Sequence, residues 1–218
     1  MHNFKTNYDK ILEVLKSLGV KSDYLCQIRE PKLLDIELVA IDLTSEYMSI
    51  DSEYQIFRVL PSSLSCKIER SVYNRRKRKL FAFREIIRKQ MTIKLNASEN
   101  CFIVDSMPLE VCKLSRSSRS KICKEVLYSQ PVKGHCASQS IHYYGYKLHA
   151  VCSAQGVVES LDISPASVHD VNYLKDMQGQ LKDCILLGDR GYLSAEYQLN
   201  LFETYNVKIG NPYEEQSD

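Results

Sequence analysis

Cys101-Phe-Ile-Val-Asp105-Ser and, later in the chain, Cys184-Ile-Leu-Leu-Gly-Asp189-Arg-Gly-Tyr192 are two short apolar runs that each end on an aspartate. A run of this length, rich in β-branched and apolar residues, reads as a strand buried on both faces, with the carboxylate at the rim of the sheet. If the two strands are neighbours, Asp105 and Asp189 stand side by side. Carboxylates a few Å apart repel, so such a rim either shares a proton or holds a divalent cation. With oxygen ligands alone, the cation is Mg²⁺ or Mn²⁺. The structural alternative gives both residues turn duty, Asp105 opening an Asx turn before Met107-Pro108 and Asp189 filling a turn before Gly191.

Working outward, the strand period sets in after the polar junction Asn96-Ala-Ser-Glu-Asn100. The expected order is a strand ending at Asp105, an irregular insert, and strands at about 141–153 and 156–163 joined at Gln155-Gly156. A helix near Asp170 to Gln178, the strand ending at Asp189, a helix near Ala195 to Tyr205 and a short strand at Val207 to Ile209 complete it. Upstream, Asn7 to Leu18 carries Ile11, Leu12, Val14, Leu15 and Leu18 at helical spacing, and Asp35 to Tyr47 repeats the pattern with Ile36, Leu38, Val39, Ile41 and Leu43. A third helix near Glu53 to Leu60 and a basic one from about Ser65 give a four-helix region. The reading is therefore an all-helical region over residues 1–96, then a mixed-sheet α+β or α/β domain over 97–218.

The net charge of +2 conceals an asymmetry. Residues 67–94 hold eleven Lys and Arg against Glu69 and Glu85 alone, so this segment is where a polyanion would bind. Arg75, Arg76, Lys77, Arg78 and Lys79 precede Leu80, Phe81, Phe83, Ile86 and Ile87, with Arg84, Arg88 and Lys89 interleaved. That is a basic amphipathic helix suited to phosphates, the alternative being a solvated charged face. Pro61-Ser-Ser-Leu-Ser65 then reads as the turn and N-cap of a helix-turn-helix-like unit. A second basic stretch, Lys113, Arg116, Arg119, Lys121, Lys124 and Lys133, faces a single acid, Glu125. With Lys147, and with Arg190 beside Asp189, it is expected to guide a phosphodiester into an electropositive cleft. Tyr143, Tyr144 and Tyr146 suit base stacking, although strand alternation favours sheet packing for the latter two.

Several classes are excluded or disfavoured. No stretch reaches the ~18 apolar residues of a membrane span. The opening Met1-His-Asn-Phe-Lys lacks an apolar signal region, so the eight cysteines read as reduced thiols and the compartment as the cytoplasm, beside the nucleoid. Cys112, Cys123, Cys136 and His135 are zinc-ligand types, but apart from the adjacent His135-Cys136 they are too widely spaced for a usual structural site.

Five blocks carry a resemblance. They are Phe102-Ile-Val-Asp-Ser-Met-Pro108 with Val111-Cys-Lys113, Gly134-His-Cys-Ala-Ser-Gln139, Tyr143-Tyr-Gly-Tyr-Lys-Leu-His-Ala150, Ala166-Ser-Val-His-Asp170 and Gly188-Asp-Arg-Gly-Tyr192. In this order they resemble insertion-sequence DDE transposases, specifically the nine-eighty-two group. The resemblance implies an RNase H-like mixed sheet with flanking helices, in which two aspartates and a later glutamate bind two Mg²⁺ (or Mn²⁺) ions and cut DNA at transposon ends. Asp105 and Asp189 match the aspartates, and His169 and Asp170 match a dipeptide of related enzymes, making both secondary candidates, His169 to position a phosphate and Asp170 to support the metal ligands, the alternative for Asp170 being a cap or a structural pair. The implied partners are double-stranded DNA of the terminal inverted repeats and, when intact, a second copy of the chain.

The family's glutamate lies well downstream in an Arg-Lys-Arg-Ile-Glu-Thr context that does not occur here, and Gly210 to Asp218 is acidic. Glu203, Glu214 and Glu215 are the acids late enough to substitute, and neither helix nor tail places them suitably. The expectation is a truncated or frameshifted transposase lacking the last helix, impaired in catalysis and marginally stable around Cys101 to Val104. The alternatives are a catalytically dead DNA-binding remnant and an unrelated metal-dependent nuclease.

Overall fold

The computed structural model describes residues 3–211, which form two compact units divided between Lys94 and Leu95. Among the described residues no helix is long and apolar enough to cross a membrane. All eight cysteines are free thiols.

The first unit is helical: α1 (Phe4–Ser17), α2 (Asp35–Tyr47), α3 (Glu53–Val59), α4 (Ser62–Ser65), α5 (Arg70–Lys79) and α6 (Phe81–Leu95). α1 starts where the Asn3 side chain accepts from the Lys5 N–H at 3.1 Å. Its inward face differs from the expected stripe, because Phe4 and Tyr8 join Leu15 in the core while Val14 is half-exposed. α2 is the central element, burying Ile36, Leu38, Val39, Ala40 and Ile41 together with two carboxylates, Asp35 and Asp42.

Six helices replace the expected four. The single basic helix is interrupted at Leu80, whose side chain is fully buried and whose N–H is shared between the carbonyls of Arg76 and Lys77. Burying Leu80 under one turn and Phe83 and Ile87 under the next divides one amphipathic pattern between two helices. Pro61-Ser-Ser-Leu-Ser65 is likewise not a turn and N-cap. It forms the short α4 with Pro61 at its cap, and Glu69 occupies the cap of α5.

The second unit is a mixed sheet with β1 (Cys101–Cys112), β2 (Val132–Cys136), β3 (Ile141–Ser153), β4 (Val158–Pro165), β5 (Cys184–Gly188) and β6 (Val207–Gly210). The order is β2-β3-β1-β5-β6, with β4 on β3 along the same edge as β2. β1 is antiparallel to β3 and parallel to β5, and β5 is parallel to β6. Chain reversal between β3 and β4 uses Gly156 at φ +82°, a conformation that favours glycine. At Gly145 a Cβ would lie 2.1 Å from the Leu109 carbonyl oxygen, so only glycine lets β1 and β3 approach there.

β1 does not end at Asp105, as its apolar run suggests, but continues through Pro108 to Cys112. β5 stops at Gly188, so beyond Val104 β1 pairs with β3 alone and the missing N–H of Pro108 costs no β5 ladder bond. The helix expected near Asp170 to Gln178 shrinks to a 3₁₀ turn, Asp170–Asn172, followed by the single-turn α7 (Tyr173–Asp176). β2 lies in a segment the sequence reading leaves irregular.

One sheet face is covered. Phe102, Val104, Val151, Leu186 and Val207 pack under Tyr173, Leu174, Met177, Tyr192 and, from α8 (Ala195–Tyr205), Leu201. On the opposite face Ile103, Met107, Leu161, Ile163 and Ile185 are each about half exposed among the described residues. Asp105 stands on this open face between Ile103 and Met107, following strand alternation.

Candidate functional site

The parallel register of β1 and β5 pairs Cys101 with Ile185 and Val104 with Gly188. The next residues on the two strands are Asp105 and Asp189, so the carboxylates leave adjacent strands, ~4.8 Å apart, at the end of their shared ladder. Each is oriented by local backbone: Asp105 Oδ1 accepts from the Ser106 N–H at 2.7 Å and Asp189 Oδ1 from the Gly191 N–H at 2.9 Å. Asp189 thereby caps a 3₁₀ turn, Arg190–Tyr192. Both aspartates are exposed, and among the described residues neither is in a salt bridge.

They open into a cleft of about 290 Å³ that Ser106, Pro108, His135, Cys136, Tyr143, Lys147 and Asp170 also line. The donor set fits a small hard cation. Mg²⁺ is commonly held by one or two protein carboxylates, with water and substrate phosphate completing its shell. Among the described residues no group of three or more His, Cys, Asp and Glu is arranged to hold a metal.

The Asp170 Oδ1 in the cleft lining accepts from Lys147 Nζ at 2.9 Å and from Ser106 Oγ at 3.0 Å. His169 precedes it at the cap of the 3₁₀ turn and is exposed. The Cys136 thiol lies below its ordinary range, chiefly through a hydrogen bond with Ser138. Glu203 is exposed on α8 and does not line the cleft, while Glu214 and Glu215 lie outside the described residues.

Beneath the cleft lie groups that sequence reasoning did not single out. Burial pushes the Tyr192 phenol well above its ordinary value; a Ser106 hydrogen bond opposes this, and Asp170, Asp105 and Asp189 add to the rise. His149, buried on β3, meets Tyr192 Oη through Nδ1 at 3.3 Å and Ser164 Oγ through Nε2 at 2.8 Å. Its ring stacks on Tyr173 with centroids 4.6 Å apart. The available signal was alternation, since Lys147 and His149 fall on one face of a strand.

Burial holds His149 below its ordinary value of 6.5, with Lys147 acting the same way and Asp170, Asp162 and Asp176 opposing. The unfolded chain therefore binds this proton more readily than the folded one. The stability tied to neutral His149 is present above pH ~6.5 and is lost as pH falls through the lower folded value. The melting temperature is expected to drop between pH 7.5 and 5.5, and His149→Gln should flatten that slope. An unchanged slope in the variant would assign the acid sensitivity elsewhere.

The basic residues divide by environment. In the insert, Lys113, Arg116 and Arg119 are exposed, the two arginines lining a concavity of about 580 Å³ with Lys121, and Arg190 is exposed beside Asp189. In the helical unit, Arg75, Arg78 and Lys79 are exposed. Arg76 is 8% exposed and bonded to the Leu33 carbonyl and to Asp35, Lys77 and Arg84 both pair with buried Asp42, and Arg88 pairs with Glu85. Tyr143 and Tyr144 are buried as packing residues, and the Tyr146 hydroxyl donates to the Ser129 carbonyl at 2.8 Å.

Known proteins resemble this chain to different extents. The transposase of insertion sequence element IS1106 from Neisseria meningitidis serogroup B is 36% identical over 64 residues, which is 29% of this chain and 22% of that one. The match thus spans about a fifth of that relative's length. A solved Mos1 transposase paired-end complex with the left transposon end aligns over 92% of this chain and 65% of its own at 13% identity, with a TM-score of 0.30, too low to bear on the fold. The profile of the transposase DDE domain matches residues 96–208, more than half of the chain and all six strands up to Lys208. By that match the chain belongs to the transposase DDE domain family.

Proposed function

We propose that this chain binds transposon-end DNA through its helical unit and its insert, and that Asp105 and Asp189 form the metal-binding centre for DNA strand cleavage and joining. The observation that carries the reading is the register of β1 and β5, which brings two carboxylates without a salt bridge among the described residues to one cleft, with the exposed Arg190 next to Asp189. The strand order, an antiparallel β1-β3-β4 meander with β5 and β6 added in parallel on the other side of β1, is compatible with an RNase H-like sheet.

Asp105 and Asp189 would hold Mg²⁺ or Mn²⁺. Bound there, the ion supplies Lewis-acid stabilisation of phosphoryl charge and lowers the pKa of attacking water. Arg116, Arg119 and Arg190 would hold the phosphodiester, and Arg75, Arg78 and Lys79 would engage phosphates along the duplex. Arg76 is left out, because its guanidinium is committed to Asp35. The partners are double-stranded DNA and a second copy of the chain, in the cytoplasm.

The test is retention and nicking of labelled duplex carrying the element's terminal repeats, with and without Mg²⁺. Retention that weakens with a log-log salt slope, reduced by about one unit for each phosphate-contacting cation removed at Arg75, Arg78 or Lys79, supports DNA recognition. Nicking that needs Mg²⁺ and both aspartates supports the metal centre. DNA retained but uncut in every condition favours a DNA-binding protein without strand cleavage. Binding indifferent to salt counts against the reading altogether.

A further inference from the structure

The insert between β1 and β2 carries an apolar feature that phosphate contacts leave unused. Leu127 and Tyr128 are 84% and 88% exposed, and Val126 before them is 42% exposed. Three consecutive apolar residues in water are unfavourable in a folded chain unless they have a partner to meet. Their backbone is held nonetheless. Leu127–Ser129 is a 3₁₀ turn whose Ser129 carbonyl accepts from Tyr146 Oη at 2.8 Å, and Gln130 Nε2 donates to the Lys124 carbonyl at 3.1 Å. Cys123 stands just before it at φ +53°, a left-handed conformation that a residue other than glycine keeps only where its surroundings impose it.

The Tyr146 hydrogen bond also fixes where the turn lies. In the ladder of β1 and β3, Asp105 is opposite Ala150, Met107 opposite Leu148 and Leu109 opposite Tyr146. Alternate paired positions leave a sheet on one side, so Tyr146 and the turn it holds share the face of Asp105. From Asp105 to Leu109 β1 advances about 14 Å. That equals about four base-pair steps of duplex at ~3.4 Å each. The same insert presents Lys113, Arg116, Arg119, Lys121 and Lys133, all exposed, against the single acid Glu125. A polyanion suits this surface, whereas a second copy of the chain docked here turn to turn would bring like charges together.

We propose that Leu127 and Tyr128 form a wedge that contacts nucleobases: with the insert's cations on the phosphates, the pair enters an opened step of the DNA a few base pairs from Asp105, and Tyr128 stacks on the unpaired base. The inference rests on the DNA-binding reading above. Phosphates offer no apolar surface, but every base has a π face that an aromatic ring can cover. Apolar side chains set between base steps hold a duplex open in the same way. Tyr128 thereby takes the stacking role that the sequence suggests for Tyr143, Tyr144 and Tyr146. The first two are buried, and the hydroxyl of the third secures the turn.

The experiment measures retention by the full chain, across a salt series, of the fully paired terminal-repeat duplex and of the same duplex with one mismatch placed in turn at each step of its end. A mismatched step has already lost part of its pairing and stacking, so the unsubstituted chain is expected to hold the best-placed mismatch more tightly than the paired duplex. Tyr128→Ala is expected to weaken that binding ~5–150-fold, the range of one base–aromatic stack, with the log-log salt slope unchanged. Tyr128→Phe keeps the ring and is expected to bind within about twofold of the unsubstituted chain. Arg116→Ala is expected to do the opposite, making the salt slope shallower while the mismatch preference stays. Both wedge residues are exposed, so circular dichroism of their variants should match the unsubstituted chain. The proposal is overturned if the unsubstituted chain binds both duplexes alike, or if Leu127→Ala combined with Tyr128→Ala leaves the preference within about twofold. It is equally overturned if that double variant sediments as a smaller species with DNA binding unchanged, which would make the turn a contact between copies. Failure of the unsubstituted chain to retain either duplex would instead remove the DNA-binding reading, and this inference with it.

Discussion

Asp105→Asn and Asp189→Asn are each expected to erase the thermal stabilisation that Mg²⁺ or Mn²⁺ confers on the unsubstituted chain. A ligand that binds only the folded state stabilises it by about 2.7 kcal/mol at a hundredfold excess over its dissociation constant. Asparagine keeps the shape of the side chain and an oxygen to accept from the Ser106 or Gly191 N–H, so the local backbone is preserved and only the charge is lost. Where the chain nicks DNA, losing the ion forfeits several kcal/mol of charge stabilisation. That corresponds to ~10²–10⁴-fold in rate. Differential scanning with and without the ion decides the matter. A metal-dependent shift that survives both substitutions would locate the ion elsewhere.

The second large effect belongs to the helical unit. Asp35→Ala is expected to destabilise it by about 3–5 kcal/mol, the usual consequence of removing one partner of a buried ion pair. Asp35 is fully buried, pairs with Arg76 Nη2 at 2.5 Å, and also accepts from the Tyr24 and Leu25 N–H groups at 3.0 and 2.8 Å. Removing it leaves a guanidinium and two backbone donors without that acceptor. Against a typical stability of ~5–15 kcal/mol, the loss would shift the urea midpoint strongly. Asp35→Ala combined with Arg76→Met removes both charges and should recover part of it, because contacting residues are not additive. A change below ~1 kcal/mol in the single variant would show that the pair is hydrated in solution.

Arg76 also shows where the sequence stops being informative. Five consecutive cations read alike in one dimension, and only the placement of α5 beside α2 distinguishes Arg76 and Lys77, which face Asp35 and Asp42, from Arg75, Arg78 and Lys79. By contrast, Asp35–Tyr47 and Ala195–Tyr205 carry their helical period on their own surfaces and form helices with those bounds. β3 likewise has the bounds read from its residues, Ile141–Ser153, although its burial alternates only from Leu148 to Ser153. The strand β1 is harder, because whether Pro108 stops a strand depends on whether a neighbour still needs its N–H, a fact held by β5. Asp105 and Asp189 are legible as candidates because each follows an apolar run of strand composition, although β1 runs on past Asp105 rather than ending there. Ser106, Tyr192 and His149 are not, because a hydroxyl or an imidazole acquires its role only from the donor or acceptor that folding brings to it.

The pairing of β1 with β5 also has a kinetic side. β1, β3 and β4 form between near neighbours in the chain, whereas β5 must close a loop of roughly eighty residues before Asp189 reaches Asp105. Loop closure of this kind is entropically costly and slow relative to local meanders. A folding chain is therefore expected to acquire most of its sheet before Asp105 and Asp189 meet, and if they hold an ion as proposed, a nascent or partly folded molecule would be unarmed until β5 has joined β1.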